Sequence, residues 1–136
     1  MTLNPAIRRM LLAIAVLLLL GLTWTGLTGG VHQWPVSQSP GQRAQTVTQL
    51  AYGLFAILSV VTTFAFQRWA PVMIAGFAIS AALAAGLASI VWGETSVATG
   101  LVSGGAALLL ALGIAWLLRV GARDARAPVA SSDRIV

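Results

Sequence analysis

Four long apolar runs set the limits on what this chain can fold into: residues 10–27, 45–66, 71–92 and 96–118. Each is long enough, at about 1.5 Å of rise per helical residue, to cross a hydrocarbon layer about 30 Å thick with modest tilt. Only short polar stretches separate them. Charged residues make up 8% of the 136 residues, and 58% are hydrophobic. A soluble domain carries about 25% charged residues, so this chain lacks the charge to cover a water-facing surface. The expected fold is an all-α integral membrane protein, a four-helix bundle in one domain over residues 1–126. Residues 127–136 are expected to be a disordered cytoplasmic tail.

Charge placement orients the bundle. All the cations are arginines, and the net charge is +5. Arg8 and Arg9 precede the first run, Arg68 separates the second and third, and Arg119, Arg123, Arg126 and Arg134 follow or close the fourth. Four crossings put all of these on one face and leave Arg43 and Glu94 on the other. The positive-inside rule makes the arginine face cytoplasmic, with both termini inside. The basic excess then lies against anionic headgroups, which argues against a nucleic-acid partner. Arginine without lysine, among many alanines and glycines, suggests a bacterial source and therefore the inner membrane. Arg8-Arg9 before Leu11–Leu20 has the form of a signal-peptide start, yet residues 21–26 offer no small-residue cleavage site. An uncleaved first helix is expected. Trp24, Trp34, Trp69, Trp92 and Trp116 fall near the expected helix ends, where indoles favour the headgroup layer.

Projection at 100° per residue separates small from large side chains. On the third run Ala75, Ala78, Ala81, Ala82, Ala85, Gly86, Ala88 and Ser89 share a side. On the fourth, Ser96, Gly100, Ser103, Gly104, Ala107, Ala111 and Ala115 form a stripe. Helices in lipid associate through close backbone approach, which small residues allow. Helices 3 and 4 are therefore expected to form a tight hairpin. On the second run Thr46, Gln49, Gly53, Ala56, Val60, Thr63 and Gln67 make a small-to-polar stripe that should face the bundle. The leucine-rich first run should be the most lipid-exposed.

The chemistry available is sparse. There is no cysteine, which removes disulfides, thiolate ligands and a cysteine nucleophile. His32 is the only histidine and falls in an expected outer loop, while Asp124 and Asp133 lie in the inner tail. A Ser–His–Asp site would need these groups in contact, and a bilayer separates them. Ser37 or Ser39 with His32 and Glu94 on the outer face is the one catalytic set left conceivable, and for a metal His32 and Glu94 supply two ligands where zinc takes at least three. Met10 and Met73 sit at the opposite end. Paired His32 side chains in an oligomer are the remaining route to a cofactor such as haem. Otherwise no cofactor, metal or enzymatic activity is expected. Glu94 is expected at the start of helix 4, favourable to the helix dipole, with Thr95 as its N-cap.

Proton-coupled transport usually relies on an ionisable group within the membrane. The four-helix small multidrug exporters resemble this chain in outline and depend on a glutamate in their first helix. Residues 10–27 contain no acid, so the resemblance ends at that residue. The expected role is a non-enzymatic accessory or scaffold subunit that associates with other membrane helices. The alternative is a small transporter or channel for an uncharged or weakly charged solute, lined by Gln49, Gly53 and Thr63.

Overall fold

The computed structural model describes residues 4–93 and 95–125, with side chains described up to residue 122. Glu94 and the tail at 127–136 lie outside the described residues. The elements are α1 (Pro5–Gln33), a 3-10 turn (Trp34–Val36), α2 (Pro40–Phe64), α3 (Ala70–Val91) and α4 (Val97–Ala125). No strand occurs among the described residues. All four helices are long and apolar enough to cross a membrane.

Capping explains why the first two helices are longer than their apolar runs. Asn4 accepts a hydrogen bond from Ala6 N at 3.1 Å, and Pro5 occupies the first turn, so α1 starts ahead of Arg8 and Arg9. At its other end α1 runs through Gly29 and Gly30 to Gln33, where a polar loop was expected. Gly30 is roofed by Leu50 and Gly29 by Gln49, so these glycines serve helix contact rather than a turn. Ser39 then opens α2 with a capping box: its hydroxyl accepts from Gln42 N at 3.1 Å, and Gln42 Oε1 accepts from Ser39 N at 3.3 Å. Pro40 follows at the first helical position. The expected loop at 28–44 is thus mostly helix. In α4 the cap is Ser96, which accepts from Thr99 N at 3.3 Å, rather than Thr95. Thr95 N–H instead donates to Ser89 O.

Each helix packs on the next, and α4 closes back onto α1. The start of α1 meets the end of α4, where Leu12 covers Gly121. Arg8, Arg9, Arg68 and Arg119 therefore gather at one end of the bundle. Toward that end lies the main packed cluster. Ala15, Leu19, Ala56, Phe77, Ala78, Ala111 and Leu118 form its core.

Two contacts bring backbones together. On α1 and α2, a Cβ added at Gly26 would lie 2.9 Å from Gly53 Cα, and one at Gly53 would lie 3.0 Å from Leu27 N. On α3 and α4, a Cβ at Gly86 would lie 3.1 Å from Gly100 O, and one at Gly104 would lie 3.0 Å from Ala82 O. Ser89 Oγ donates across the same pair to Ser103 Oγ at 2.8 Å. Close approach is therefore shared between both hairpins.

Gly53→Leu is expected to force α1 from α2 and to destabilise the chain by about 1–3 kcal/mol. Gly105 has nothing within 4 Å of an added Cβ. Gly105→Ala should leave stability unchanged or raise it by up to about 1 kcal/mol through helix propensity. Detergent unfolding followed by circular dichroism checks the pair, and equal losses at the two positions would contradict the packing described.

Candidate functional site

The small side chains on α3 and α4 divide between two tasks. Ala82, Gly86, Ser89, Gly100, Ser103 and Gly104 hold the two helices together. Ala81, Ala84, Ala85 and Ala88 on α3, with Ala107 and Ala111 on α4, instead border a hollow between the four helices. Ala78 belongs to the solid core. The hollow measures about 590 Å³, within the range of small-molecule sites. Its remaining walls are Leu18, Leu22 and Gln33 of α1, Gln45, Gln49 and Tyr52 of α2, Phe77 of α3, and Leu110 and Ile114 of α4.

This chamber has one polar end and one apolar end. At the polar end the start of α2 faces the end of α3. Trp92 Nε1 donates to Gln45 Oε1 at 3.0 Å, and Gln45 Nε2 donates to Gln49 Oε1 at 3.2 Å. That chain of bonds fixes the amide orientations, since each glutamine group is committed as donor or acceptor. Gln33 reaches the same end from α1, and its Oε1 is buried without a hydrogen-bond partner. An orphaned buried polar atom of this kind costs about 1–3 kcal/mol. At the apolar end Phe77 and Ile114 meet the core, so the hollow is blind toward the arginine-bearing end. Among the described residues no Asp, Glu, Arg or His lines it.

Leu18 and Leu110 are the only exposed side chains of the lining, at 45% and 70%. They belong to α1 and α4, which places the mouth of the chamber between those two helices.

The polar stripe expected on α2 does not form one wall. Gln49 lines the chamber. Gly53 is spent on the contact with α1, and Ala56 is buried in the core. Thr46 is buried and donates to Gln42 O at 2.9 Å, with its hydroxyl 2.9 Å from that of Ser37. Thr63 lies far along α2, donating to Ser59 O at 2.6 Å, beside a separate small cleft with Gln67 and Arg119. Thr63 and Gln49 therefore share no path.

His32 is corrected from a loop position to the last turn of α1, on its exposed face. Its Nδ1 donates to Thr28 O at 2.7 Å, and it does not border the chamber. Among the described residues no three His, Cys, Asp or Glu side chains gather as a metal site. Trp24 sits well inside α1 rather than near its end, and it is 72% exposed.

Gln33, Gln45, Tyr52, Ala84 and Trp92 complete the site, and the sequence reading did not group them there. The signal was present in Ser39-Pro40-Gly41-Gln42, a capping-box pattern that moves the start of α2 ahead of Gln45. No protein-family description matches this chain, and no curated protein or solved structure is significantly similar to it.

The chain has no native cysteine, so single replacements report cleanly. Ala88→Cys, in the chamber wall, should react with N-ethylmaleimide at least about tenfold faster than Ala78→Cys, which is packed in the core at 4% exposure. Equal rates, measured by mass spectrometry in detergent, would show that the hollow is not accessible.

Proposed function

We propose that this chain is a small multi-pass protein of a bacterial cytoplasmic membrane, with both termini inside, that binds an uncharged small molecule within its bundle. The observation that carries the reading is the chamber: about 590 Å³, apolar along its length and amide-lined at one end. Leucine or phenylalanine at the alanine positions lining it would fill the space, so the alanines that hollow it out make sense as room for an occupant. The uncharged lining among the described residues favours a neutral occupant over an ion, because an unpaired buried charge costs far more than an unpaired amide.

Topology rests on the arginines. Arg8, Arg9, Arg68 and Arg119 at one end of the bundle make that end cytoplasmic under the positive-inside rule. The chamber's amide end then lies toward the outer leaflet. The chamber is blind, which favours a binding or carrier role over an open channel.

A second reading, an accessory subunit that joins other membrane helices, draws on a different surface. Gly105 and Gly113 on α4 face open space on either side of the exposed Leu109, an outward apolar face with room at both glycines for another helix. Gly100 and Gly104 no longer serve this reading, because α3 already covers them.

Thermal unfolding in detergent tests the first reading with three uncharged compounds, glycerol, cyclohexanol and 1-decanol, and with decanoate. At a hundredfold excess over its dissociation constant a bound compound adds about 2.7 kcal/mol. At least one uncharged compound should raise the midpoint by several degrees, and decanoate should not. Ala84→Phe, filling the chamber, should abolish that response. A response that survives Ala84→Phe, or no response from any uncharged compound, refutes the reading. For the second reading, Gly105→Leu should lower the native mass of the complex extracted in mild detergent while leaving the helical content intact.

A further inference from the structure

The chamber's mouth and its polar end together narrow the class of ligand. We infer that it takes a single-headed, uncharged amphipath from the lipid phase, a long-chain alcohol or fatty amide. The inference rests on the binding function proposed above. In this arrangement the hydrocarbon lies along Phe77, Ala81, Ala84 and Ala111, and the head bonds to Gln33 once its amide turns into the chamber, since Gln33 Oε1 is covered in its present orientation.

Three features support this. First, the mouth is flanked by Leu18 and Leu110 on α1 and α4. In helices of membrane-crossing length these flanks face acyl chains, so the mouth opens sideways into lipid. A strongly hydrated solute would have to shed its water before reaching it. Second, the polar groups cluster at one end only. Gln45 and Gln49 largely satisfy each other and Trp92, which leaves the Gln33 Oε1 acceptor unmet. One head group suits that arrangement, whereas a polyol would leave most of its hydroxyls against alanine and phenylalanine. Third, the head must donate a hydrogen bond. A hydroxyl or primary amide does so, and each can also accept from a glutamine N–H. An ether or ester lacks the donor, and a carboxylate brings a charge for which no counter-charge lines the chamber.

The helix arrangement also fixes the ligand's direction. The tail points toward the core around Leu19 and Leu118, and the head lies beside Gln33 and Gln45, at the end away from Arg8 and Arg119. Under the topology proposed above, this matches the orientation of a lipid in the outer leaflet, so the molecule slides in without turning over.

Photolabelling tests the inference. The full chain in phosphatidylcholine vesicles is irradiated with a dodecanol analogue bearing a diazirine in its alkyl chain, and labelled peptides are mapped by mass spectrometry. Labels are expected on the chamber-facing positions of α3 and α4, from Ala81 to Ala88 and from Ala107 to Ile114. Competing 1-dodecanol should remove them at concentrations at least fivefold lower than dodecyl methyl ether, which lacks the donor. Gln33→Met should narrow that difference to under twofold while Gln38→Met, an exposed control outside the chamber, preserves it. Leu110→Trp, which narrows the mouth, should reduce labelling several-fold with helical content unchanged.

Labels confined to outward residues such as Leu101 and Leu109, or equal competition by the ether in the native chain, would overturn the inference. If cyclohexanol or glycerol stabilises the chain and Ala84→Phe abolishes that effect, yet dodecanol fails to compete, this inference falls and the chamber remains a binding site of another class. If Ala84→Phe changes neither stabilisation nor labelling, both fall together.

Discussion

The contact of Gly86 with Gly100 and Gly104 governs the geometry of the rest of the bundle. Helices in lipid gain little from burying apolar surface against each other, so their association depends on close packing and interhelical hydrogen bonds. Three glycines let the backbones of α3 and α4 meet, and the Ser89–Ser103 bond closes the seam. The side chains beside that seam are alanines. They are too short to reach α1 and α2 across the bundle, so the choice that draws two helices together also leaves space before the other two. A leucine in place of Ala84 or Ala111 would extend into that space. The seam and the chamber are thus two results of one small-residue pattern.

The second hairpin sets the shape of that space. Gly26 and Gly53 hold α1 on α2, and the capping box at Ser39 starts α2 early enough to place Gln45 opposite Trp92. A later start, beginning at Gln45, would leave that glutamine in a frayed first turn with its amide free to turn to solvent. The helical extension of α1 to Gln33 matters in the same way. It carries a third glutamine along the helix to meet the two on α2. Polarity at this end of the chamber therefore depends on where helices begin and end.

This dependence explains what was legible in the sequence. The four apolar runs fixed the number of helices, and periodicity placed Gly100 and Gly104 opposite α3. Both signals come from regular repetition, which sequence displays directly. The hydrophobic runs alone misplaced the helix ends, because Gly29, Gly30, Pro35 and Pro40 look like loop residues. Only tertiary contact reveals that Leu50 and Gln49 cover the two glycines, while Pro40 suits a first helical turn. The misplaced boundary put His32 and Gln33 in a loop and drew attention to the wrong one. The α2 stripe does face the bundle, with Thr46, Gly53, Ala56 and Thr63 buried, but it does not line one path. Gln49, Gly53 and Thr63 share a helix face, but a helix some 37 Å long at 1.5 Å per residue meets different neighbours along its length. A shared face does not make a shared site.

The asymmetry between the two halves of the bundle gives the chamber its meaning. Around Leu19 and Leu118 buried side chains pack into a continuous cluster, so the sequence is capable of packing a core with the same residue types. One half is hollow because alanine recurs where leucine or phenylalanine would fit, and that hollow coincides with the one place where three glutamines converge. Packing alone requires neither the space nor the amides. Stability would be served better by filling the former and by replacing Gln33, whose buried acceptor has no partner, with an apolar side chain. The coincidence of both features at one point is what the proposed binding role accounts for, and a packing role alone does not.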